Sequence, residues 1–223
     1  FIHDSVVVSQ DLMDWVTKVV KVKPHRLHLI QNGVEVQPNY TVLEKATGEE
    51  KVVCTVGRLD PVKNQSLLIR AFKELVDKYL APVKLKIVGD GSERSKLESL
   101  TRELKLQEYV EFLGYREDVR QQLEQCDVFV LSSHYEGFGL AILEGMAAKN
   151  ACIGSNVAGM AEILSDSGIL FERGDYLELK EALLKLINND TYYKQISQKC
   201  YEKSKEFDIN FMVDKYISVY KQK

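Results

Sequence analysis

The residues best suited to chemistry lie together in one stretch of the chain, 132–147. Two carboxylates bracket a turn in this stretch: Glu136 stands at its start, and Glu144 follows in the next predicted helix. Gly137 and Gly139 lie between them, where the backbone can turn sharply and approach a ligand. Carboxylates accept hydrogen bonds from the vicinal hydroxyls of a ribose or a sugar ring. The stretch therefore suits a ligand that carries hydroxyl groups.

The sequence on either side of this turn predicts a strand and a helix. The apolar run Val128–Leu131 indicates a buried strand, and apolar residues recur with helical spacing from Leu140 to Ala147. The first N–H groups of such a helix attract an anion, typically a phosphate. The same junction occurs throughout doubly wound proteins, so the local pattern alone leaves a purely structural role open.

The elements that must position this stretch alternate regularly after residue 50. Strands are predicted at 51–56, 83–88, 110–113, 128–131, 151–155 and 168–171. Helices are predicted at 65–79, 93–104 and 118–125, from residue 140 onward, and in the tail at 177–188, 191–205 and 210–220. This alternation predicts an α/β fold, a Rossmann-like doubly wound parallel sheet with helices on both faces.

The first 50 residues are organised differently. A strand at 5–9, a helix at 11–21 and a strand at 27–30 are predicted, followed by Asn32-Gly33. Residues 35–50 are polar and lack periodicity, which is typical of a linker. The chain does not begin with Met, and we expect it to be a fragment of a larger protein.

Four glycine-bearing loops follow successive predicted strands, at 57–65, 89–91, 114–116 and 136–144. The carboxyl ends of parallel strands lie at one edge of a sheet, and ligands bind in the crevice beyond that edge. We therefore expect the four loops to face one ligand site.

Composition narrows the class of protein. With 223 residues, 45% of them apolar, the chain can bury a full core. A net charge of −3 argues against a nucleic-acid interface. No apolar run approaches the ~20 residues that a membrane span needs. The four cysteines lack metal-ligand spacing and are typical of buried thiols in a reducing compartment, a disulfide pair being the less favoured alternative.

Several common ligands are disfavoured by the motifs. Gly89-Asp-Gly91 begins like a dinucleotide fingerprint, but Arg94 stands where the third glycine should be, and the segment follows the second strand of the alternating region. The sequence contains neither a Gly-Lys-Ser/Thr phosphate loop nor a Gly-x-Ser-x-Gly hydrolase motif. The histidines lack metal-ligand spacing, and no Asp-x-Asp is present. We expect a site without a cofactor or a metal.

Positive side chains near the crevice complete the candidate site. Arg58 offers a planar fork and Lys63 a mobile point charge, and together they can neutralise a pyrophosphate. Each is also a residue type that commonly lies solvated on a surface.

At this point the residues resemble a known family. Gly57-Arg58-Leu with Lys63, Gly89-Asp90-Gly91 and the Glu136-Gly-Phe-Gly to Glu144 segment look like the C-terminal, donor-binding domain of family 4 retaining glycosyltransferases with the GT-B architecture. The similarity runs over essentially the whole chain. It implies an inter-domain segment at 1–34 left from a missing N-terminal domain, a linker at 35–50, and a nucleotide-sugar donor-binding domain with a helical tail at 51–223.

The resemblance also implies roles for individual residues. Arg58 and Lys63 would contact the donor's pyrophosphate, Glu136 would bind the hydroxyls of the sugar, and Glu144 those of the ribose. Amides of 137–139 would lie along the sugar and phosphate, residues 140 and 142 near the phosphate and nucleoside, and 114–116 beside the base. The resemblance implies that Arg58, Lys63 and Glu136 are catalytic. The further donor-binding positions are Gly57, Gly89, Gly91, Gly114, Tyr115, Arg116, Gly137, Phe138, Gly139, Leu140, Ile142 and Glu144.

One segment departs from the family's pattern. In the loop expected at 156–162, Ala158 and Ala161 stand where the family usually has Gly and Pro. We therefore expect this loop, including Glu162, to have a structural role.

The implied activity is metal-independent transfer of a sugar, with retained anomeric configuration, from a nucleoside-diphosphate sugar. The acceptor would be a glycan or a lipid-linked molecule, bound through the absent N-terminal domain. The location expected is the cytoplasm or the cytoplasmic face of the inner membrane, with peripheral association through the missing half. Two alternatives remain open: a non-catalytic nucleotide-sugar binding module, and a glycoside hydrolase using Glu136 and Glu144.

Overall fold

The computed structural model describes residues 4–37, 50–78 and 82–221. Most of the linker expected at 35–50 therefore lies outside the described residues, as does the last residue of the helix expected at 65–79. No helix in the described part of the chain combines the length and the apolar character required to span a bilayer.

The described residues form eight strands in two sheets. The strands are β1 (Ser5–Val7), β2 (Leu27–Leu29), β3 (Lys51–Val56), β4 (Val83–Val88), β5 (Val110–Gly114), β6 (Val128–Leu131), β7 (Ala151–Ser155) and β8 (Ile169–Phe171). Strands β1 and β2 pair in parallel as a small separate sheet. The other six form one parallel sheet in the order β5-β4-β3-β6-β7-β8. The strand order reverses between β3 and β6, which is where doubly wound sheets open a ligand crevice.

Nine α-helices are present in the described residues. They are α1 (Gln10–Trp15), α2 (Gln65–Lys78), α3 (Arg94–Glu103), α4 (Val119–Glu124), α5 (Leu140–Ala147), α6 (Ala158–Leu164), α7 (Tyr176–Ile187), α8 (Asp190–Ser204) and α9 (Ile209–Lys221). Short 3₁₀ turns occupy Pro24–Arg26 and Lys205–Phe207. The α/β fold with a parallel sheet that the sequence predicted is confirmed.

The core lies between the large sheet and the helices that cover it. Strands β6 and β7 are buried at every position, as expected for parallel strands covered on both faces. Helix α2 turns Leu68, Ile69, Phe72 and Leu75 inward, all of them fully buried. All four cysteines are buried, as predicted.

The structure differs from the sequence predictions in three places. Strand β1 ends at Val7 rather than at Ser9, because the Ser9 hydroxyl caps α1 by accepting the Leu12 N–H at 3.3 Å. The helix expected at 11–21 changes after Trp15 into a π-helical turn, Val16–Val20. The prediction of a loop at 156–162 was wrong from Ala158 onward.

That last segment forms helix α6 instead of a loop. Met160, Ile163 and Leu164 have the spacing of one helical face and are all fully buried. Burial of this apolar face stabilises the helix despite the glycine in its first turn.

The segment after β2 is fixed to the start of α9. Val34 accepts the Ile209 N–H at 2.9 Å and donates its own N–H to Phe207 at 2.9 Å. Gly33 comes so close that a Cβ there would lie 2.6 Å from the Ile209 Cα. A side chain at position 33 would therefore push the two segments apart.

The burial of α2 leads to a stability prediction. Leu68→Ala should lower the free energy of unfolding by about 2–5 kcal/mol, because it leaves a cavity in a fully buried site. Leu177→Ala is the matched control, since that leucine is 59% exposed and the same change should cost less than about 0.5 kcal/mol. Urea unfolding of both variants measures the difference, and equal costs would contradict the packing described for α2.

Candidate functional site

Loops after three neighbouring strands are joined directly to one another. The Gly57 N–H donates to Val88 at 3.0 Å, and the Gly89 N–H donates to Gly114 at 2.8 Å. Gly89 has φ of +131°, and a Cβ there would lie 1.9 Å from the Gly57 carbonyl oxygen. Only glycine fits at that position, so the predicted convergence of these loops depends on it.

A lysine and a carboxylate from two different loops meet at the switch point between β3 and β6. The Lys63 Nζ lies 2.6 Å from Oε1 of Glu136. Both side chains are largely buried, with 21% of the lysine and 9% of the glutamate exposed. The Ser133 hydroxyl donates to the same carboxylate oxygen at 2.8 Å. The site thus brings together two of the three residues expected to be catalytic.

The two loops that carry this pair are also joined by hydrogen bonds from a side chain and from the backbone. The Ser132 hydroxyl lies within donating distance of the Asn64 and Lys63 carbonyl oxygens, at 2.9 and 3.2 Å. The His134 N–H donates to Val62 at 2.7 Å. The position of Lys63 relative to Glu136 is therefore fixed by main-chain contacts as well as by charge.

Arg58 lies in the same loop as Lys63 but takes no part in the ion pair. Its side chain is 82% exposed, and its guanidinium lies 3.2 Å from Asp60. Asp60 also accepts the Lys63 N–H at 3.1 Å and so shapes the loop. The structure places Arg58 at the rim of the crevice, where its side chain can turn toward an anion.

The turn after Glu136 leads directly into α5. Gly139 has φ of +83° and forms the N-cap of the helix, and a Cβ at Gly137 would meet nothing within 4 Å. The first two N–H groups of α5, those of Leu140 and Ala141, have no partner inside the helix. Binding of an anion at these N–H groups stays a prediction.

Two of the implied donor-binding residues are turned into the core. Ile142 is fully buried and its N–H donates to Gly139 at 3.0 Å, so neither its side chain nor its amide is left to contact a donor, contrary to expectation. The Phe138 ring is 4% exposed and packs edge-on against Phe207, with centroids 6.1 Å apart. The resemblance names the backbone amide of Phe138 and not its ring, so burial of the ring does not contradict that expectation.

Glu144 lines a cavity next to this helix. It lies between α4, α5 and the segment after β2, with a volume of 300 Å³. Burial raises the pKa of the Glu144 carboxyl above its ordinary value. The lining residues are mainly apolar: Gly33, Val34, Glu35, Val119, Arg120, Leu123, Leu140, Glu144, Ala147, Ala148 and Ile209. The sequence did not indicate that Glu35 and Arg120, 3.6 Å apart, border this cavity.

The segment after β5 carries an exposed tyrosine and an arginine that is ion-paired with a nearby aspartate. Tyr115 is 79% exposed. Arg116 binds both carboxylate oxygens of Asp118 at 2.7 Å, and this contact holds the pKa of Asp118 well below its usual range. Tyr115 is thus open to a ligand, whereas the Arg116 guanidinium is committed to its neighbour.

Helix α6 supports the turn from behind. A Cβ at Gly159 would lie 2.5 Å from the Glu136 carbonyl oxygen, so this glycine permits close packing of the two segments. Glu162 accepts a hydrogen bond from the Gln31 amide at 2.6 Å and from the Gln10 N–H at 3.2 Å. These contacts agree with the structural role expected for Glu162.

Similar solved structures identify the fold. A TarM variant from S. aureus in complex with Fondaparinux, alpha-GlcNAc-glycerol and UDP matches with a TM-score of 0.84 at 24% identity, over 98% of this chain and 44% of that one. HepE from Anabaena in complex with UDP and glucose matches with a TM-score of 0.85 at 21% identity, over 99% and 64%. The fold is that of GT-B glycosyltransferases.

Sequence similarity then gives the family. Residues 41–203 match the model for glycosyl transferases group 1, and the chain belongs to this family. It is 30% identical over 210 residues to N-acetyl-alpha-D-glucosaminyl L-malate synthase of Bacillus anthracis, covering 89% of this chain and 55% of that protein. It is 31% identical over 217 residues to the UDP-Gal:alpha-D-GlcNAc-diphosphoundecaprenol alpha-1,3-galactosyltransferase of Escherichia coli, covering 91% and 56%. The chain thus spans about half the length of these relatives.

Because Glu144 is partly buried, we predict that replacing it with glutamine, its neutral analogue, stabilises the protein in a pH-dependent way. Because its pKa is raised in the folded protein, the stability that protonation contributes is present below the ordinary value of 4.5 and is lost as pH rises through the folded value. Glu144→Gln should therefore raise Tm at pH 7, and this gain should vanish in acid.

Thermal unfolding across pH measures this effect. Glu103→Gln, at an exposed position on α3, should leave Tm nearly unchanged at every pH. A lower Tm for Glu144→Gln at pH 7 would show that the carboxylate is not strained by burial.

Proposed function

We propose that this chain is the donor-binding half of a glycosyltransferase that moves a sugar from a nucleoside-diphosphate sugar to a glycan or lipid-linked acceptor. We further propose that transfer retains the anomeric configuration and needs no metal ion, and that residues 1–34, 35–50 and 51–223 are the inter-domain segment, the linker and the donor domain. The observation that carries this proposal is the contact of Lys63 with Glu136 in front of α5.

The arrangement suits a leaving nucleoside diphosphate. Its departure builds negative charge, which preorganised cations and helix N–H groups stabilise as it forms. Lys63 lies within reach of a carboxylate suited to sugar hydroxyls, so it would sit at the junction between sugar and pyrophosphate. Arg58 at the rim would add a second positive charge.

Nucleoside binding is assigned to the neighbouring part of the crevice. Glu144 would accept hydrogen bonds from the ribose hydroxyls at the cavity wall, and Tyr115 would lie beside the base. The name of one relative specifies UDP-Gal, and two similar structures contain UDP. These findings support UDP as the first nucleotide to test.

The two alternatives differ in how the structure supports them. The hydrolase requires an acid and a nucleophile from Glu136 and Glu144, but Glu136 is already held by a lysine and a serine at one of its oxygens. A non-catalytic binding module would use the same contacts of Glu136 with Lys63 and Ser133 without a catalytic step. Donor binding is common to this module and to the transferase, and turnover separates them.

Donor binding is tested by calorimetry with UDP, GDP, ADP and their glucose or mannose derivatives. The ligands of one base, expected to be uracil, should bind saturably, and Glu144→Ala should weaken their binding about tenfold or more by removing a charged acceptor. Glu103→Ala, on the exposed part of α3, is the control and should bind normally. Saturable binding of none of these ligands would overturn the proposal.

Turnover is tested in a longer protein that includes the acceptor-binding half. The measurement is release of the nucleoside diphosphate from the donor that the calorimetry identifies. Arg58→Ala and Lys63→Ala should each lower the rate by ~10²-fold or more, because they remove positive charge at the leaving group. Lys73→Ala, which removes an ion-paired lysine from α2, should keep the normal rate. Near-normal turnover of the first two variants would reject their role.

A further inference from the structure

Three serine hydroxyls surround the lysine–glutamate pair without reaching the open crevice. Ser132, Ser133 and Ser155 are 2%, 0% and 0% exposed. Ser133 donates to Oε1 of Glu136 at 2.8 Å, and its own carbonyl oxygen accepts the Ser155 hydroxyl at 2.5 Å. A ligand in the crevice cannot touch these groups, so any influence on a ligand must pass through the residues they hold.

The two oxygens of the Glu136 carboxylate have different surroundings. Oε1 accepts hydrogen bonds from both the Lys63 ammonium and the Ser133 hydroxyl. Oε2 accepts no hydrogen bond from the residues that the structure describes. Oε1 is therefore hydrogen-bonded within the protein, and Oε2 remains available to a ligand.

The lysine alone does not fix this orientation. Lys63 is a compact charge on a flexible stem, and the last torsion of a glutamate is broad. A carboxylate held only at the Lys63 contact would pivot about it. The second bond comes from Ser133 just after a fully buried strand, and two bonds to one oxygen define the plane of the group.

We propose that Ser133 is a positioning residue that aims Oε2 of Glu136 at the donor's sugar and so sets the preference for a nucleotide sugar over the free nucleotide. This inference rests on the proposed function. The hydroxyl contributes no contact with the base, ribose or pyrophosphate. Removal of the Ser133 hydroxyl should weaken binding of the sugar and leave binding of the nucleotide unchanged.

The neighbouring serine provides a contrast within the same segment. Ser132 hydrogen-bonds to backbone carbonyls of the Lys63 loop and does not contact Glu136. Its removal should loosen the loop that carries Lys63 and Arg58, both of which are proposed to face the pyrophosphate. Ser132→Ala should therefore weaken the nucleotide and the nucleotide sugar by similar factors.

The experiment compares two dissociation constants for each variant. UDP with UDP-glucose, GDP with GDP-mannose and ADP with ADP-glucose are the probes, and the pair that binds the unmodified chain is used. Ser133→Ala should raise the Kd of the nucleotide sugar about three- to tenfold while the Kd of the free nucleotide stays within about twofold. Ser133→Thr retains the hydroxyl and should restore the ratio.

A matched control removes the general effect of losing a buried hydroxyl. The Ser197 hydroxyl is buried and donates to the Lys149 carbonyl oxygen at 2.6 Å, far along the chain from the turn. Ser197→Ala should lower Tm as Ser133→Ala does, but it should leave both dissociation constants unchanged. In a Glu136→Ala background, adding Ser133→Ala should have no further effect on the nucleotide sugar.

The outcomes separate this inference from the proposed function. If Ser133→Ala shifts both ligands equally, or neither, the positioning role is overturned while the donor site stands. The positioning role is overturned as well if the effect persists in the Glu136→Ala background. If the unmodified chain binds neither member of any pair, the proposed function fails and the role of Ser133 falls with it.

Discussion

The ion pair between Lys63 and Glu136 is the interaction on which the site depends. The two residues come from loops after β3 and β6, neighbours in space but separated in sequence by three helix–strand units. Both side chains are largely withdrawn from water, so removing either one would leave an uncompensated charge at considerable cost. The close packing of loops at Gly89 and of α6 at Gly159 brings the crevice walls together around this pair.

Most of the fold was predictable from hydrophobic pattern because each strand of a covered parallel sheet is a short apolar run. Helix α6 is the exception, since the comparison with the family's motif led us to expect a loop at 156–162. The apolar spacing of Met160, Ile163 and Leu164 was the signal that could have revealed it. The π-helical turn after Trp15 had no sequence signal, because over five residues the apolar spacing does not distinguish it from a turn of α-helix.

The site was predictable in its residue types and not in their contacts. Glycines, cations and carboxylates at strand ends indicated a crevice, and Lys63 and Glu136 do meet there. Sequence spacing could not show that Ile142 points into the core or that Arg116 is held by Asp118. It also missed Ser133, although that residue lies within the same 132–147 stretch, because a serine's partner depends on how the turn folds back.

In the proposed site, a donor would not have to break the ion pair in order to bind. A lysine ammonium has three N–H donors, and the contact with Glu136 uses one of them, so two remain for phosphate oxygens. Glu144 is in the opposite position, because its burial disfavours the charged form until a ligand supplies hydrogen bonds. The Glu136 carboxylate is thus held in place by its protein partners, whereas burial disfavours the charge on the Glu144 carboxylate. A ligand with hydroxyls at both ends and phosphates between them would supply partners to both carboxylates and to the lysine. A simple glycoside lacks the phosphates, and inorganic phosphate lacks the sugar hydroxyls.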